Sequence, residues 1–290
     1  MNFISKALKS KLARNSLWLI VLQVFNLVVP MLTLPYITRI LSISAYGEFS
    51  LALNWITYIQ IIVEYGFGLT GAKKVAINKD KNEISRTHSS ILFARLFLML
   101  ACFAILCIVI CIADFEKTLL ISLLILFLMV ASTAFQQTWL FQGMSEMQNI
   151  TIINVVSRSI SVLLIFLFVK SPDDLYLYCF LYVSNYLVAS IAGCFIVYKK
   201  YGVKIKFSGI KFVFFELKES FAVFLSSAMG KIFSGIGVTV LGFIATRELI
   251  GVYSAINKIT YVLIILFSAL SQALYPNSCK SFGSSFDDGI

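Results

Sequence analysis

The chain alternates between long apolar runs and short segments that hold most of its charge. A helix of about 20 apolar residues crosses a hydrocarbon core of about 30 Å, and runs of that length predict eight membrane-spanning helices here. The predicted spans cover residues 17–38, 47–70, 88–113, 118–140, 150–169, 175–198, 219–244 and 250–276. The pattern therefore predicts an all-α integral membrane protein, a polytopic helical bundle of about eight transmembrane helices.

Two segments far apart in the chain share a sequence pattern. Residues 47–58 read G-E-F-S-L-A-L-N-W-I-T-Y, and residues 251–261 read G-V-Y-S-A-I-N-K-I-T-Y. With one residue dropped, both hold glycine, an aromatic residue, serine, alanine, asparagine, isoleucine, threonine and tyrosine in the same order, 204 residues apart. Solenoid repeats recur every 20–50 residues or so, whereas parallel half-repeats of this scale are found in membrane transporters.

The duplication divides the chain into two lobes of unequal length. It predicts a six-helix N-terminal lobe over residues 1–198, a cytoplasmic amphipathic linker over 199–218 and a partial C-terminal lobe over 219–290. The linker mixes lysine with phenylalanine and isoleucine, as segments lying on a membrane surface do. Only two helices are predicted for the second lobe, where a matching lobe would hold six, so we expect a C-terminally truncated product.

Positive charge is distributed unequally between the two predicted sides of the membrane. The N-terminus, the 71–87 loop, the 199–218 loop and Lys280 together carry 16 basic residues, whereas the other side carries four. Cytoplasmic loops of membrane proteins hold the excess of lysine and arginine. We therefore expect a multi-pass protein with its N-terminus in the cytoplasm.

Composition agrees with a lipid-embedded chain and argues against several functions. Hydrophobic residues make up 59% of the chain and charged residues 13%, against about 45–50% and about 25% in soluble domains. The net charge of +10 falls in blocks between apolar runs, which argues against nucleic acid as a partner. The six cysteines form no C-x-x-C pair and there is one histidine, so we expect no disulfides and no metal site. The sequence contains no nucleophile constellation and no nucleotide-binding motif, so we do not expect an enzyme or a bound cofactor.

Some ionisable residues fall inside predicted spans, where charge is costly and usually functional. They are Glu64, Arg95, Arg158, Lys231 and Lys258. We expect Arg158 and Lys231 to line a polar cavity between the lobes and to contact phosphate or acidic sugar. Snorkelling towards the headgroups is the alternative for Arg158. Lys258 aligns with Trp55 in the repeat, so the second lobe would contribute charge where the first contributes an aromatic surface.

Glu64 and Arg95 lie at a similar predicted depth, roughly 13 Å inside the cytoplasmic boundary at about 1.5 Å per residue. One interpretation is a structural ion pair between two antiparallel spans. In the other, Arg95 holds an anionic headgroup, while Glu64 takes up a proton or binds a cation in alternation.

The first span contains Pro30 and Pro35. Each proline removes a backbone donor, which predicts a bend. The bend is either a fixed structural kink or a hinge that changes angle during transport.

Several motifs resemble those of a known membrane protein family. They are Pro30-x4-Pro35-Tyr36-x2-Arg39-x-Leu41, Tyr46-Gly47, Tyr65-Gly66-Phe67 with Lys73-Lys74-x-Ala76, Thr138-Trp139-Leu140-Phe141-Gln142-Gly143 and Ser271-Gln272-Ala273-Leu274-Tyr275-Pro276. Together they resemble Wzx-type O-antigen and polysaccharide flippases. These form the polysaccharide transporter branch of the multidrug/oligosaccharidyl-lipid/polysaccharide superfamily. The likeness covers almost all of the 290 residues.

The resemblance carries specific expectations. It implies a two-lobed bundle of about twelve helices in the bacterial plasma (inner) membrane. It implies that undecaprenyl-diphosphate-linked oligosaccharide, an O-antigen or capsule repeat unit, moves between the leaflets by alternating access, with proton or sodium antiport as a candidate driving force. The central cavity would be cationic, with Arg95, Arg158, Lys231 and Lys258 as substrate-binding candidates. The implied partners are the lipid-linked oligosaccharide, membrane lipids and other polysaccharide assembly proteins.

Three other functions compete with this one. A multidrug-type cation antiporter of the same superfamily would carry acids in its cavity, yet the spans hold four bases and one acid. A membrane polymerase or ligase would need a sizeable outer loop, and the predicted outer loops are a few residues long. A truncated product without transport activity of its own also fits the sequence.

Overall fold

The computed structural model of the protein describes residues 11–78, 80–113, 115–206 and 209–264, with side chains from residue 14 onwards. Every regular element in these ranges is a helix, which confirms the predicted all-α class. The first nine are α1 (Lys11–Ile40), α2 (Ile43–Glu64), α3 (Phe67–Ile77), α4 (Lys81–Ile112), α5 (Lys117–Ala134), α6 (Thr138–Gly143), α7 (Met147–Phe168), α8 (Leu175–Lys200) and α9 (Ile210–Ile244). A further helix, α10, covers residues 247–264.

Six stretches of the described chain are helical, long and apolar enough to cross a membrane. They are α1 from Arg14, α4, α5 together with α6, α7, α8 and α9. Each coincides with one of the predicted spans. The second predicted span coincides with α2 and the start of α3, and the eighth begins in α10 and continues outside the described residues.

The long helices turn apolar side chains outward. Ile20, Val24 and Leu32 on α1 each expose more than half of their surface, as do Phe97 and Ile112 on α4. Contiguous apolar surface of this kind marks contact with another apolar phase. Together with the lengths of the helices, it identifies the chain as a multi-pass membrane protein.

The bundle is built around α2. This helix packs mainly on α5 and α9, α5 packs on α8, and α7 lies between α8 and α1. The main core buries Phe49, Ile56 and Val63 of α2 against Leu126 of α5 and Val183 of α8. Because α2 contacts α9 as well as helices of the predicted N-terminal lobe, a cavity beside α2 can lie between the two predicted lobes.

Consecutive long helices run in opposite directions, so their connections alternate between two faces. The N-terminal face, where α1 begins, is marked by a hydrogen bond from Asn15 Nδ2 to Ser145 O at 2.9 Å. The opposite face is marked by one from Tyr36 to Val169 O at 2.8 Å. The described parts of the basic 71–87 and 199–218 segments lie at the N-terminal face, where the Lys204 amide donates a hydrogen bond to Ser85 Oγ at 3.2 Å.

Two predicted spans are interrupted, which corrects their assignment as single helices. Between α2 and α3, Tyr65 and Gly66 adopt left-handed conformations with φ of 48° and 74°. A Cβ on Gly66 would lie 2.9 Å from the backbone nitrogen of Phe224, so α9 packs directly against this turn. Between α5 and α6, the helix stops at Phe135 and restarts at Thr138.

The predicted linker is helical at both ends. α8 continues through Lys200 and α9 begins at Ile210, nine residues before the predicted start of its span at residue 219. The first helix is continuous through Pro30 and Pro35, and neither proline is preceded by a cis peptide bond.

Candidate functional site

A cavity of about 920 Å³ lies between α2, α9 and α10. Its lining residues recur at helical spacing on each wall, so one stripe of each helix faces the same space. The polar and charged members are Ser50, Asn54 and Thr57 on α2, Ser227, Lys231 and Ser234 on α9, and Ser254, Asn257 and Lys258 on α10. A cavity of this volume is typical of small-molecule sites, which measure about 300–1,000 Å³.

Both copies of the sequence repeat line this cavity at equivalent positions. The equivalent pairs are Phe49 with Tyr253, Ser50 with Ser254, and Asn54 with Asn257. The repeat was recognisable in the sequence, but its role as two walls of one cavity follows only from the packing of α10 beside α2.

Two of the predicted anion-binding residues are in the cavity wall. Lys231 on α9 is exposed and Lys258 on α10 is half-buried. Glu64 interacts electrostatically with Lys231, and Arg158 does so with Lys258. The cavity therefore combines two ammonium groups with neutral hydroxyl and amide side chains.

Arg158 does not line the cavity. It lies on α7, where its Nη1 donates to Asn26 Oδ1 of α1 at 2.7 Å. Asn26 is four residues before Pro30, in the turn whose backbone acceptor the proline leaves unpaired. Arg158 thus joins α7 to α1 near the first proline, while its charge remains within electrostatic range of Lys258.

Arg95 is buried beside the break between α5 and α6. Its Nη1 donates to the carbonyls of Gln136 at 2.9 Å and Thr133 at 3.3 Å. The last carbonyls of a helix have no intrahelical partner, and leaving them unpaired inside a bilayer is costly. A guanidinium at this end also complements the helix dipole. Arg95 therefore stabilises the break.

Glu64 and Arg95 interact electrostatically without forming the predicted direct ion pair. Glu64 is half-buried and interacts electrostatically with Arg95, but the two make no ion pair within 4.0 Å among the described residues. Glu64 also interacts electrostatically with Lys231 of the cavity wall, so its carboxylate is within electrostatic range of both cations.

A second polar cluster occupies the core around Arg95. His88 Nε2 lies 3.0 Å from Gln137 Oε1, and the His88 ring stacks on Trp139. Gln60 Nε2 donates to Thr133 Oγ1 at 3.0 Å. The space among these side chains is too small to hold a water molecule. This cluster is packed interior and does not open into the cavity.

At the opposite face, a close contact and an ion pair join α2 to α10. Gly47 of α2 and Gly251 of α10 are in backbone contact. Beside them, Arg247 Nε lies 2.7 Å from Glu48 Oε2, and only 5% of the Glu48 side chain is exposed. Arg247 also lies 3.7 Å from Glu116. These contacts hold α2 and α10 together beside the cavity.

At the N-terminal face, an ion-pair cluster joins α3 to α9. Lys74 Nζ lies 2.8 Å from Glu216 and 2.6 Å from Glu219. Thr70 and Ser220, one turn nearer the cavity, bond at 2.7 Å. Burial disfavours the charged ammonium of Lys74, but the hydrogen bonds to the two carboxylates outweigh it and raise its pKa above the usual value.

The sequence did not single out these two clusters. Glu48, Arg247 and Lys74 lie at the ends of predicted spans, where charge is ordinary, and their partners are far away in the chain. In the described part of the chain, no group of three or more His, Cys, Asp or Glu side chains is placed to hold a metal ion.

The fold and the cavity define a polytopic membrane protein with a polar, positively charged chamber between two groups of helices. The chain belongs to the polysaccharide biosynthesis protein family, whose sequence model matches residues 12–282.

Two relatives of the chain are both named "Putative O-antigen transporter". One, from Shigella dysenteriae, is 28% identical over 278 residues, which cover 96% of this chain and 70% of the relative. The other, from Escherichia coli strain K12, is 30% identical over 271 residues, which cover 92% of this chain and 65% of the relative. No solved structure matches the chain. Family and relatives support a role in polysaccharide transport.

Proposed function

We propose that the chain translocates an undecaprenyl-diphosphate-linked oligosaccharide across the bacterial inner membrane by alternating access through the α2–α9–α10 cavity. The observation that carries this proposal is the placement of Lys231 and Lys258 in the wall of one cavity. Ammonium groups in a low-dielectric space attract a diphosphate strongly, and polar side chains of the cavity that have no partner in the protein can pair with sugar hydroxyls.

Support for alternating access comes from the two ends of the cavity. We infer that the Gly47–Gly251 contact and the Glu48–Arg247 pair close it at the opposite face. The positive-inside rule predicts that this face is outside and the N-terminal face cytoplasmic. The cavity would then accept lipid-linked substrate from the inner leaflet, and separation of α2 from α10 would release it outward.

The remaining candidates take distinct roles in this proposal. Arg158 contributes charge near Lys258 and holds α7 to α1 near Pro30. Pro30 and Pro35 are the hinge candidates of α1.

Arg95 acts on substrate indirectly, by holding the α5–α6 break beside Glu64. Glu64 is the ion-coupling candidate, because its carboxylate is within electrostatic range of both Arg95 and Lys231. A downhill proton or sodium flow that neutralised Glu64 would alter the field at Lys231.

The proposal includes partners beyond the substrate. Membrane lipids surround the apolar outer surface, and other polysaccharide assembly proteins supply and consume the lipid-linked oligosaccharide.

The test is complementation of a flippase-null strain with the 290-residue chain and with a Lys231→Gln/Lys258→Gln double variant. We expect the wild-type chain to restore surface O-antigen and the double variant to restore at most a tenth of that amount. Lys170→Gln, an exposed lysine in a loop outside the cavity, is the matched control and should behave as wild type. Unchanged O-antigen in the double variant would contradict the proposal. A wild-type chain that restored no O-antigen would favour the multidrug-type cation antiporter, for which lipid-linked oligosaccharide is not a substrate.

A further inference from the structure

The two copies of the repeat present the same residue types to the cavity but use them differently. On α2, Asn54 Nδ2 donates to Thr239 Oγ1 of α9 at 2.8 Å, and the Tyr58 hydroxyl lies 2.8 Å from the same oxygen. Both side chains also press against Gly235 of α9, where a Cβ would leave them no room. The asparagine of the first repeat is therefore engaged in packing α2 on α9.

The second repeat leaves the equivalent groups available. Asn257 is exposed and makes no hydrogen bond to another described residue. The buried Oγ of Ser254 likewise has no partner within the described chain. A buried hydroxyl without a partner is unfavourable unless a ligand or a water satisfies it. The α10 wall therefore holds two polar groups, one exposed and one buried, whose hydrogen bonds the described chain does not satisfy.

These groups form one surface with a charged and an aromatic neighbour. Ser254, Asn257, Lys258 and Tyr261 follow the i, i+3, i+4, i+7 spacing that places residues on one stripe of a helix, and all four line the cavity. Lysine donates hydrogen bonds and accepts none, as a phosphate requires. A primary amide and a hydroxyl both donate and accept, which matches the adjacent hydroxyls of a sugar. The tyrosine ring adds an apolar face with a polar edge.

We propose that Ser254, Asn257 and Tyr261 form a saccharide-binding subsite, distinct from the anion-binding pair Lys231 and Lys258. This inference rests on the proposed function, since it divides the same cavity into a sugar-binding and a diphosphate-binding part. Because Asn257 is adjacent to Lys258, the sugar held there is the one bonded directly to the diphosphate. The subsite recognises the sugar, whereas the two lysines provide the affinity for the carrier lipid.

Equilibrium binding to the purified 290-residue chain in lipid nanodiscs tests the division. The two probes are undecaprenyl diphosphate and the same lipid carrying an O-antigen repeat unit. A Ser254→Ala/Asn257→Ala double variant should bind the saccharide-bearing lipid at least tenfold more weakly, the loss expected for two hydrogen bonds. Its affinity for bare undecaprenyl diphosphate should change less than twofold. Lys231→Gln/Lys258→Gln should weaken both.

The repeat supplies a matched control. Asn54→Ala removes the same side chain from the first copy and should leave the ratio of the two affinities unchanged, even where it lowers thermal stability. Asn257→Ala alone alters an exposed residue, so it keeps the fold and should lower the affinity for the saccharide-bearing lipid about fivefold.

The outcomes test the saccharide subsite separately from the proposed function on which it rests. If the Ser254/Asn257 variant bound both lipids equally more weakly, or bound both with unchanged affinity, the saccharide subsite would be overturned. The result with the lysine variant would still uphold the proposed function. A wild-type chain that bound neither lipid, or lysine variants that bound both normally, would contradict the proposed function and the subsite with it.

Discussion

Gly47 and Gly251, which occupy the same place in the two repeats, touch each other where α2 and α10 meet. A Cβ on Gly47 would lie 2.9 Å from the backbone nitrogen of Gly251, and a Cβ on Gly251 would lie 3.2 Å from that of Gly47. Two elements related by a two-fold axis contact each other at equivalent residues on that axis. The contact is the arrangement expected for parallel repeats related by an axis along the membrane normal.

Gly47→Ala should loosen this end of the cavity. The added methyl group would collide with the backbone carbonyl of Arg247, and overpacking of this kind costs about 1–3 kcal/mol. We expect α2 and α10 to separate, so that a cysteine placed at Ser50 reacts several-fold faster with a membrane-impermeant thiol reagent added outside the cell.

Gly230→Ala is the control for that measurement, because nothing lies within 4 Å of a Cβ on Gly230. It should leave the reaction rate at position 50 unchanged. Equal rates in wild type and Gly47→Ala would show that the glycine contact does not close the cavity.

Lys74→Met should destabilise the contact between α3 and α9. The substitution leaves Glu216 and Glu219 without their shared cation, at a cost of about 2 kcal/mol. Lys73→Met changes an exposed lysine one position away and should cost little. Thermal unfolding in detergent compares the two, and similar unfolding temperatures would contradict the assigned role of Lys74.

The stabilisation by Lys74 should also depend on pH. Because the pKa of Lys74 is raised in the folded state, its ammonium group contributes stability that is fully present below the pKa of the unfolded state, 10.5 for lysine. That stability is lost as the pH rises through the pKa of the folded state. The stability difference between wild type and Lys74→Met should therefore be constant near neutral pH and shrink above about pH 10.5. A difference that grew with pH in that range would have the wrong sign.

Arg95→Met should affect folding more than substrate affinity. Loss of the guanidinium leaves the carbonyl of Gln136 without its hydrogen-bond partner at the helix break, which costs about 2 kcal/mol or more inside a bilayer. Protein that still folds should bind undecaprenyl diphosphate within about twofold of wild type. Binding measured together with thermal unfolding distinguishes the roles: a tenfold loss of affinity without loss of stability would return Arg95 to the substrate site.

The sequence predicted features that depend on local pattern. Runs of apolar residues located the helices, and shared residue types at fixed spacing revealed the repeat that proved to form two cavity walls. Lys231 and Lys258 were predictable as cavity residues, since a lysine deep in an apolar span needs polar surroundings.

Features that depend on packing between distant segments could not be predicted. Arg95 contacts carbonyls that are exposed only because the chain breaks at Phe135, and no glycine or proline marks that break. The partners of Lys74 are more than 140 residues away. Likewise, Asn54 and Asn257 are identical in the repeat, and only the position of Thr239 on α9 assigns them different roles.

Photo-crosslinking in living cells shows whether the saccharide-bearing lipid enters the cavity between α2, α9 and α10. A photo-crosslinking amino acid is placed at Ser234, inside the cavity, or at Ile112, which is 81% exposed on the outer surface of α4. Mass spectrometry then identifies the adducts. We expect an adduct with undecaprenyl-diphosphate-linked saccharide from position 234 and only bulk phospholipid from position 112. The same adducts from both positions, with no saccharide-bearing lipid from position 234, would contradict the proposed function.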